Sequence, residues 1–294
     1  MSKGKEITEE LSLGDVFSKT FELYRLDFLK YIILFVVLEA IIGILTTLVR
    51  SAIVVPARPV NATPQQLLSW LPGYLGALTA IVALTLIITF VVYPIAYGGT
   101  VKLASEELVK GQTDLGASVR FAFSRILWLW VVGIVVGIIV LLGFIALVIP
   151  GIILAIMFSL VIPVLIIESP GFRSLGRSRE LVSHRWLKTF ALFIVFGIII
   201  GIAAVIVSEI SRLFGGASTI ASSILSAFYL PLIPIMLTVY YYSNSARIAP
   251  PQVPQAPTAP GTTFQAGMKF CPSCGTQIPT EATFCPACGS KQPA

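Results

Sequence analysis

Long runs of apolar residues alternate with short polar segments along this chain. The longest uncharged run lies between Arg125 and Glu168, where 42 residues include no Asp, Glu, Lys, Arg or His. A single helix of that length would extend about 60 Å, roughly twice the apolar thickness of a bilayer. Because Pro150-Gly151 interrupts the run near its middle, the pattern predicts two membrane-spanning helices joined by a very short turn.

The same pattern predicts six membrane-spanning helices in the first 248 residues. They cover approximately residues 31–49, 75–97, 126–148, 151–167, 190–207 and 219–242. Prolines lie inside the even-numbered spans and are expected to kink them. We therefore predict an all-α polytopic membrane domain over residues 1–248, with no signal peptide before the first span.

A polar segment with helical periodicity precedes each odd-numbered span. The first begins with Ser12 at a typical N-cap position and Asp15 three residues later. Apolar and polar residues then occupy opposite faces up to about residue 28. Such a helix can lie in the headgroup plane or can pack on the cytoplasmic ends of the spans.

The chain also suggests an internal repeat. Leu13-Gly14, Leu115-Gly116 and Leu175-Gly176 are each followed by an arginine and then by a span. We interpret this order as three parallel copies of one unit, a surface helix and two spans. The alternative is that apolar segments resemble one another by composition alone.

Two spans carry Gly-x-x-x-Gly, at Gly133 and Gly137 and at Gly197 and Gly201. This motif lets two helix backbones approach closely. It predicts packing between spans of the same chain, with a homodimer contact as the alternative.

The basic residues predict the orientation. Only 12% of the 294 residues are charged and the mean hydropathy is +0.92, as in an integral membrane protein. Seventeen of the twenty Lys and Arg residues lie on one side of the predicted spans, and the other side holds Arg50, Arg58 and Arg212. The positive-inside rule therefore predicts a plasma-membrane protein with both termini cytoplasmic. The net charge of +6 reflects this bias rather than nucleic-acid binding.

Glu39 is the only ionisable side chain well inside a predicted span. A carboxyl group at mid-depth is costly unless it is protonated, paired or hydrated, which makes Glu39 a candidate intramembrane site. It could bind a proton or a substrate, or it could be a protonated packing residue. A set of basic residues before the fifth span could contact lipid headgroups or could simply orient the protein: Arg173, Arg177, Arg179, Arg185 and Lys188.

All four cysteines lie near the C-terminus, after a Pro-rich linker at residues 249–267. They form two Cys-x-x-Cys pairs, Cys271 with Cys274 and Cys285 with Cys288, each followed by glycine. Four thiolates at this spacing predict one structural Zn²⁺ in a ribbon over residues 268–294, with iron as the alternative. Basic residues around the pairs are few, so a protein partner is favoured over nucleic acid.

Two resemblances follow from these residues. Ile149-Pro150-Gly151, Pro163, Glu168 and the segment from Ser178 to Trp186 resemble the membrane domain found beside glycerophosphoryl diester phosphodiesterases. That domain also occurs alone in uncharacterised bacterial and archaeal membrane proteins, and the likeness covers most of residues 10–245. The tail resembles the short zinc ribbon of many prokaryotic, especially archaeal, proteins.

No enzymatic role follows from these resemblances, because the phosphodiesterase catalytic residues are absent from the sequence. We predict a non-enzymatic membrane protein that presents its zinc ribbon to a cytoplasmic protein and contacts membrane lipids. A transporter or lipid-handling protein with a site near Glu39 is the alternative. The sequence leaves the oligomeric state open.

Overall fold

The computed structural model describes residues 7–168, 171–248, 268–272, 276–279 and 281–291. Two compact units divide the chain, Met1–Ile248 and Ala249–Ala294. The predicted linker at residues 249–267 lies outside the described residues.

The first unit is helical. Its helices in chain order are α1 (Leu13–Leu26), α2 (Phe28–Ala52), α3 (Pro64–Lys110), α4 (Leu115–Ser124), α5 (Ile126–Ala146), α6 (Val148–Met157), α7 (Val161–Ile167), α8 (Arg173–Val182), α9 (Trp186–Arg212), α10 (Ser218–Ser226) and α11 (Leu232–Ile248). A short 3₁₀ turn, Gly215–Ala217, connects α9 to α10.

Five segments in the described part of the chain are long and apolar enough to cross a membrane. They are α2, α3, α5, the pair α6 and α7, and α9. Many of their aliphatic side chains point outward, including Leu86, Ile138 and Ile198, each more than half exposed. Such a surface suits lipid tails rather than water. The protein is therefore a membrane protein.

The surface helices begin where their capping residues predict. The Ser12 hydroxyl accepts a hydrogen bond from the Asp15 backbone amide, and the Asp15 carboxylate accepts one from the Ser12 amide. Asp114 caps α4 in a similar way, with its side chain accepting from the Ala117 amide.

Two of the surface helices connect directly to the segments that follow. A single residue, Asp27, joins α1 to α2, and Arg125 joins α4 to α5. The third surface helix, α8, ends at Val182. The threefold repeat remains a prediction.

The second span differs from the prediction because it belongs to one helix of 47 residues. At 1.5 Å per residue α3 is about 70 Å long, so it extends well beyond an apolar layer of about 30 Å. Its start lies between the first two predicted spans. Thr63 and Gln66 form a capping box there, and Pro64 occupies the first helical position, where its missing N–H costs nothing.

The last predicted span, residues 219–242, is two helices rather than one. The helix α10 ends at Ser226, residues 227–231 form turns, and α11 begins at Leu232. The fourth span is likewise interrupted, at residues 158–160 between α6 and α7. The interruption between α6 and α7 ends three residues before Pro163, and the one between α10 and α11 ends at Pro231, three residues before Pro234. The expected kinks are therefore breaks in these two spans, whereas Pro94 lies within continuous helix.

The core of the first unit surrounds α11. Ile235, Met236, Val239 and Tyr240 are almost completely buried. The helices α1, α3, α7 and α8 pack around α11. Tyr240 also shares a hydrogen bond with Thr189 of α9, with 2.7 Å between the two hydroxyl oxygens. The helix α11 thus holds the surrounding helices together.

The hairpin of α5 and α6 turns at Leu147, not at Pro150-Gly151 as expected. Pro150 instead lies in the first turn of α6, where backbone amides have no helical partner. The two helices touch at their glycines, since a Cβ on Gly143 would lie 3.0 Å from the Gly151 Cα.

The Gly-x-x-x-Gly motifs do not make close contacts of this kind within the described chain. A Cβ on Gly137, Gly197 or Gly201 would have no atom within 4 Å. At these three glycines the expectation of packing between spans of one chain is wrong, because the close approach occurs at the α5–α6 turn instead.

Gly143→Ala should destabilise the membrane domain. The added methyl group would lie 3.0 Å from the Gly151 Cα and 2.7 Å from a methyl group of Leu154, and backbone cannot move aside cheaply. Overpacking of this kind costs about 1–3 kcal/mol, so the apparent Tm in detergent should fall. Gly137→Ala in the same helix is the matched control and should not lower it. Equal Tm shifts for both variants would contradict this packing.

Candidate functional site

The C-terminal unit repeats one short hairpin. Strands β1 (Met268–Phe270) and β2 (Gln277–Pro279) pair antiparallel. The Cys271 amide donates to the Thr276 carbonyl oxygen at 2.9 Å. Fourteen residues later the Cys285 amide donates to the Ser290 carbonyl oxygen at the same distance of 2.9 Å. The two turns therefore place Cys271 and Cys285 in equivalent positions.

Three sulfurs converge at these turns. The Sγ atoms of Cys271, Cys285 and Cys288 all lie within 4.8 Å of one another. Those of Cys271 and Cys288 are 3.6 Å apart. That is too far for a disulfide, whose bond is about 2.05 Å, and close to the roughly 3.8 Å between two thiolates on a tetrahedral zinc. Cys274, the fourth predicted ligand, lies outside the described residues.

The zinc is structural. Among the residues of this unit whose burial the structure describes, Cys271, Ile278 and Cys285 are buried, so two of these three core residues are metal ligands and the fold depends on the metal. Gly289 adopts φ of +73°, which lets the chain turn back after Cys288. The Ser290 hydroxyl lies 3.3 Å from the Cys271 sulfur and 3.1 Å from that of Cys288. A hydroxyl hydrogen there would help to stabilise the thiolates.

Glu39 lies on α2 and only 5% of it is exposed. The Tyr93 hydroxyl of α3 donates a hydrogen bond to a Glu39 carboxyl oxygen at 2.6 Å. A short bond from a phenol to a carboxyl group in an apolar setting is among the stronger hydrogen bonds in proteins. The predicted intramembrane candidate is therefore buried and held by a partner from a neighbouring helix.

Further polar groups around Glu39 come from α3 and from the break between α10 and α11. The hydroxyl of Ser226, the last residue of α10, donates to the Ser223 carbonyl oxygen at 2.6 Å and lies near the same carboxyl group. Tyr97 and Tyr229 are close enough to affect it electrostatically. Sequence reasoning missed these partners because they lie far apart along the chain. Their only sequence signal was tyrosine and serine within apolar runs.

Three of the five basic residues predicted to contact headgroups form ion pairs within the protein. Arg177 pairs with Glu168 and Glu180, at 2.9 Å in each case. Arg185 and Lys188 both bind Glu10, at 2.9 Å and 2.6 Å.

These two cations, Arg185 ahead of Lys188, lower the pKa of the Glu10 carboxyl group from 4.5 to about 2. The pairing therefore persists in moderate acid and weakens only as the pH falls towards 2. Of the five basic residues predicted to contact headgroups, the other two are Arg173 and Arg179. They are exposed and pair with no acid in the described chain.

A comparison with protein families supports the metal site. A zinc-ribbon domain family matches residues 270–292. No family match supports the resemblance of the membrane segments to the glycerophosphoryl diester phosphodiesterase membrane domain. No curated protein and no solved structure matches the chain.

Cys285→Ser should abolish zinc binding. It removes one thiolate from a cluster that supplies most of the unit's core, so the purified protein should lose its zinc, about one ion per chain. Metal analysis of the detergent-purified protein measures this. Ala287→Ser is the matched control, because it adds a serine between the same two cysteines without removing a ligand. Zinc retained in Cys285→Ser would argue against this ligand set.

Proposed function

We propose that this protein anchors a zinc ribbon at the cytoplasmic face of the plasma membrane, where the ribbon binds a protein partner. The observation that carries the proposal is the division of the chain. A compact metal-stabilised unit follows a separate membrane domain. A metal bound by four thiolates has no open coordination position, so the unit presents a surface rather than a reaction centre. The proposed role is a non-enzymatic scaffold or regulator.

The surface of the ribbon supports a protein partner. The Phe284 side chain is 60% exposed beside the metal-binding turn. Exposed aromatic rings are frequent anchors of protein interfaces. The charged residues described in the unit are Lys269, Glu281 and Lys291, of mixed sign and few in number. Nucleic-acid binding would require a denser basic surface.

The orientation of this proposal, with both termini cytoplasmic, rests on the distribution of basic residues. The segments that form α1, α4 and α8 belong to the predicted cytoplasmic side, which carries seventeen of the twenty Lys and Arg residues. An accessibility assay with tags at each terminus tests it directly.

Phe284→Ala should reduce partner binding while leaving zinc and membrane insertion intact. Truncation of an anchoring aromatic residue typically costs about 2 kcal/mol or more, a loss of roughly thirtyfold in affinity. Crosslinking and mass spectrometry from the native membrane, with each variant quantified against the unaltered protein, provide the measurement.

Deletion of residues 249–294 should abolish the same crosslinks without affecting insertion. Thr283→Ser, at the exposed neighbouring position, is the control. If the crosslinked proteins are unchanged by both the deletion and Phe284→Ala, the ribbon is not the docking module.

A second function is favoured by the pairing of Glu39 with Tyr93. A buried carboxyl group beside a broken span is the arrangement expected of a site that binds a proton, a solute or a lipid within the membrane. Under this proposal the protein transports a solute or handles a lipid, and Glu39 contacts the cargo while Tyr93 positions the carboxyl group.

Glu39→Gln tests this second function in reconstituted vesicles. Glutamine keeps the size and one acceptor oxygen but cannot ionise, so proton flux or transfer of a labelled phospholipid should fall at least about tenfold. Tyr93→Phe should have a smaller effect in the same direction, since it removes only the hydrogen bond. Glu22→Gln on the exposed face of α1 is the control. Unchanged flux and unchanged lipid transfer in Glu39→Gln would exclude the site.

A further inference from the structure

A polar cavity lies among the C-terminal ends of α2 and α9, the first turns of α10 and the middle of α3. Its volume is about 350 Å³. Arg50 from the last turn of α2 and Arg212 from the end of α9 line it. Most of the remaining lining is serine and threonine, including Ser208, Ser218 and Ser222. A cluster of hydroxyl groups and two guanidinium groups is unusual in a chain of this hydropathy.

The hydroxyl groups of the cavity divide into two classes. Those of Thr46 and Ser211 donate to carbonyl oxygens of their own helices, at 2.8 Å and 2.6 Å, as serine and threonine in membrane helices commonly do. Those of Ser208, Ser218 and Ser222 make no hydrogen bond within the described part of the chain. This second class is available to a ligand.

The charges at the cavity are predominantly positive. Glu209 is the nearby acid, and it pairs with Arg212 at 3.0 Å. Both side chains are well exposed, at 71% for Arg212 and 59% for Glu209, so the pair is weak and easily exchanged. Arg50 forms no ion pair with any described residue.

The first turn of α10 contributes little to this potential. No side chain caps that end, but the Ser218 amide already donates to the Gly215 carbonyl oxygen of the preceding 3₁₀ turn. Arginine in a last helical turn also offsets the helix dipole, but that role does not require two arginines to share a hydroxyl-lined cavity.

We propose that this cavity binds a phosphate group, carried either by a phospholipid headgroup or by a free anion. Guanidinium and hydroxyl donors from three helices converge on one space, and phosphate offers several acceptor oxygens to such a set. Arg50 lies eleven residues after Glu39 on α2, about 16 Å along the helix. The cavity is therefore a separate site, and the inference rests on neither function proposed above.

Binding to the detergent-purified full-length protein tests the proposal with two probes. Native mass spectrometry measures retention of phosphatidylglycerol against diacylglycerol, which lacks the phosphate. Equilibrium dialysis measures inorganic phosphate. The double variant Arg50→Gln with Arg212→Gln should weaken binding of the phosphate-bearing probe about tenfold or more, because charge-assisted hydrogen bonds are lost. Arg58→Gln, which alters the remaining basic residue of the same predicted side outside this cavity, should leave binding unchanged.

The two sources of phosphate give different results. Retention of phosphatidylglycerol that depends on the two arginines and resists competition by inorganic phosphate identifies a lipid headgroup. Saturable binding of inorganic phosphate with the same dependence identifies a free anion. Two results would overturn the proposal. One is equal retention of both lipids together with no phosphate binding, and the other is an equal loss of binding in the double variant and in Arg58→Gln. If the double variant does not remain folded by gel filtration, Ser222→Ala supplies the same comparison with a smaller expected loss.

Discussion

The main constraint on this fold is that backbone groups freed by a helix break need hydrogen-bond partners. The Tyr24 hydroxyl meets this need at one position by donating to the Phe228 carbonyl oxygen at 2.6 Å. A break in an apolar helical segment frees backbone groups that lipid would leave without partners. Between α10 and α11 the turns satisfy most amides locally, and α1 supplies a donor for one carbonyl from outside. Because the break is stabilised in this way, α10 packs on α2 and α9 while α11 enters the core among α1, α3, α7 and α8.

The sequence predicted where apolar segments lie better than it predicted whether each is one helix. Long apolar runs locate α2, α5 and α9, and the capping pair of Ser12 and Asp15 locates the start of α1. Hydropathy adds up the transfer free energies of side chains, so it cannot tell a continuous helix from a broken one. A proline is equally ambiguous, since Pro94 lies in unbroken helix while breaks precede Pro163 and Pro234.

The two candidate sites differed in how much of them was local in sequence. Metal binding by the ribbon depends on pairs of cysteines a few residues apart, so spacing alone indicated four ligands, and the sulfurs of three of them, Cys271, Cys285 and Cys288, converge. Glu39 could be recognised as a lone acid, but its partner Tyr93 is 54 residues away. Nothing in a single sequence specifies which helices will be neighbours. The polar cavity was missed for the same reason, because isolated serines in apolar runs look unremarkable.

One face of α2 explains why α10 must lie where it does. Glu39, Gly43, Thr46 and Arg50 follow at helical spacing and form a polar stripe along a membrane-spanning helix. Exposed to lipid, that stripe would be costly. The helix α10 covers it, with the Ser223 side chain so close to Gly43 that a Cβ there would lie 3.0 Å away. The break lets residues 218–226 cover α2 while residues 232–248 lie in the core. The buried carboxyl group and the cavity therefore both depend on the break.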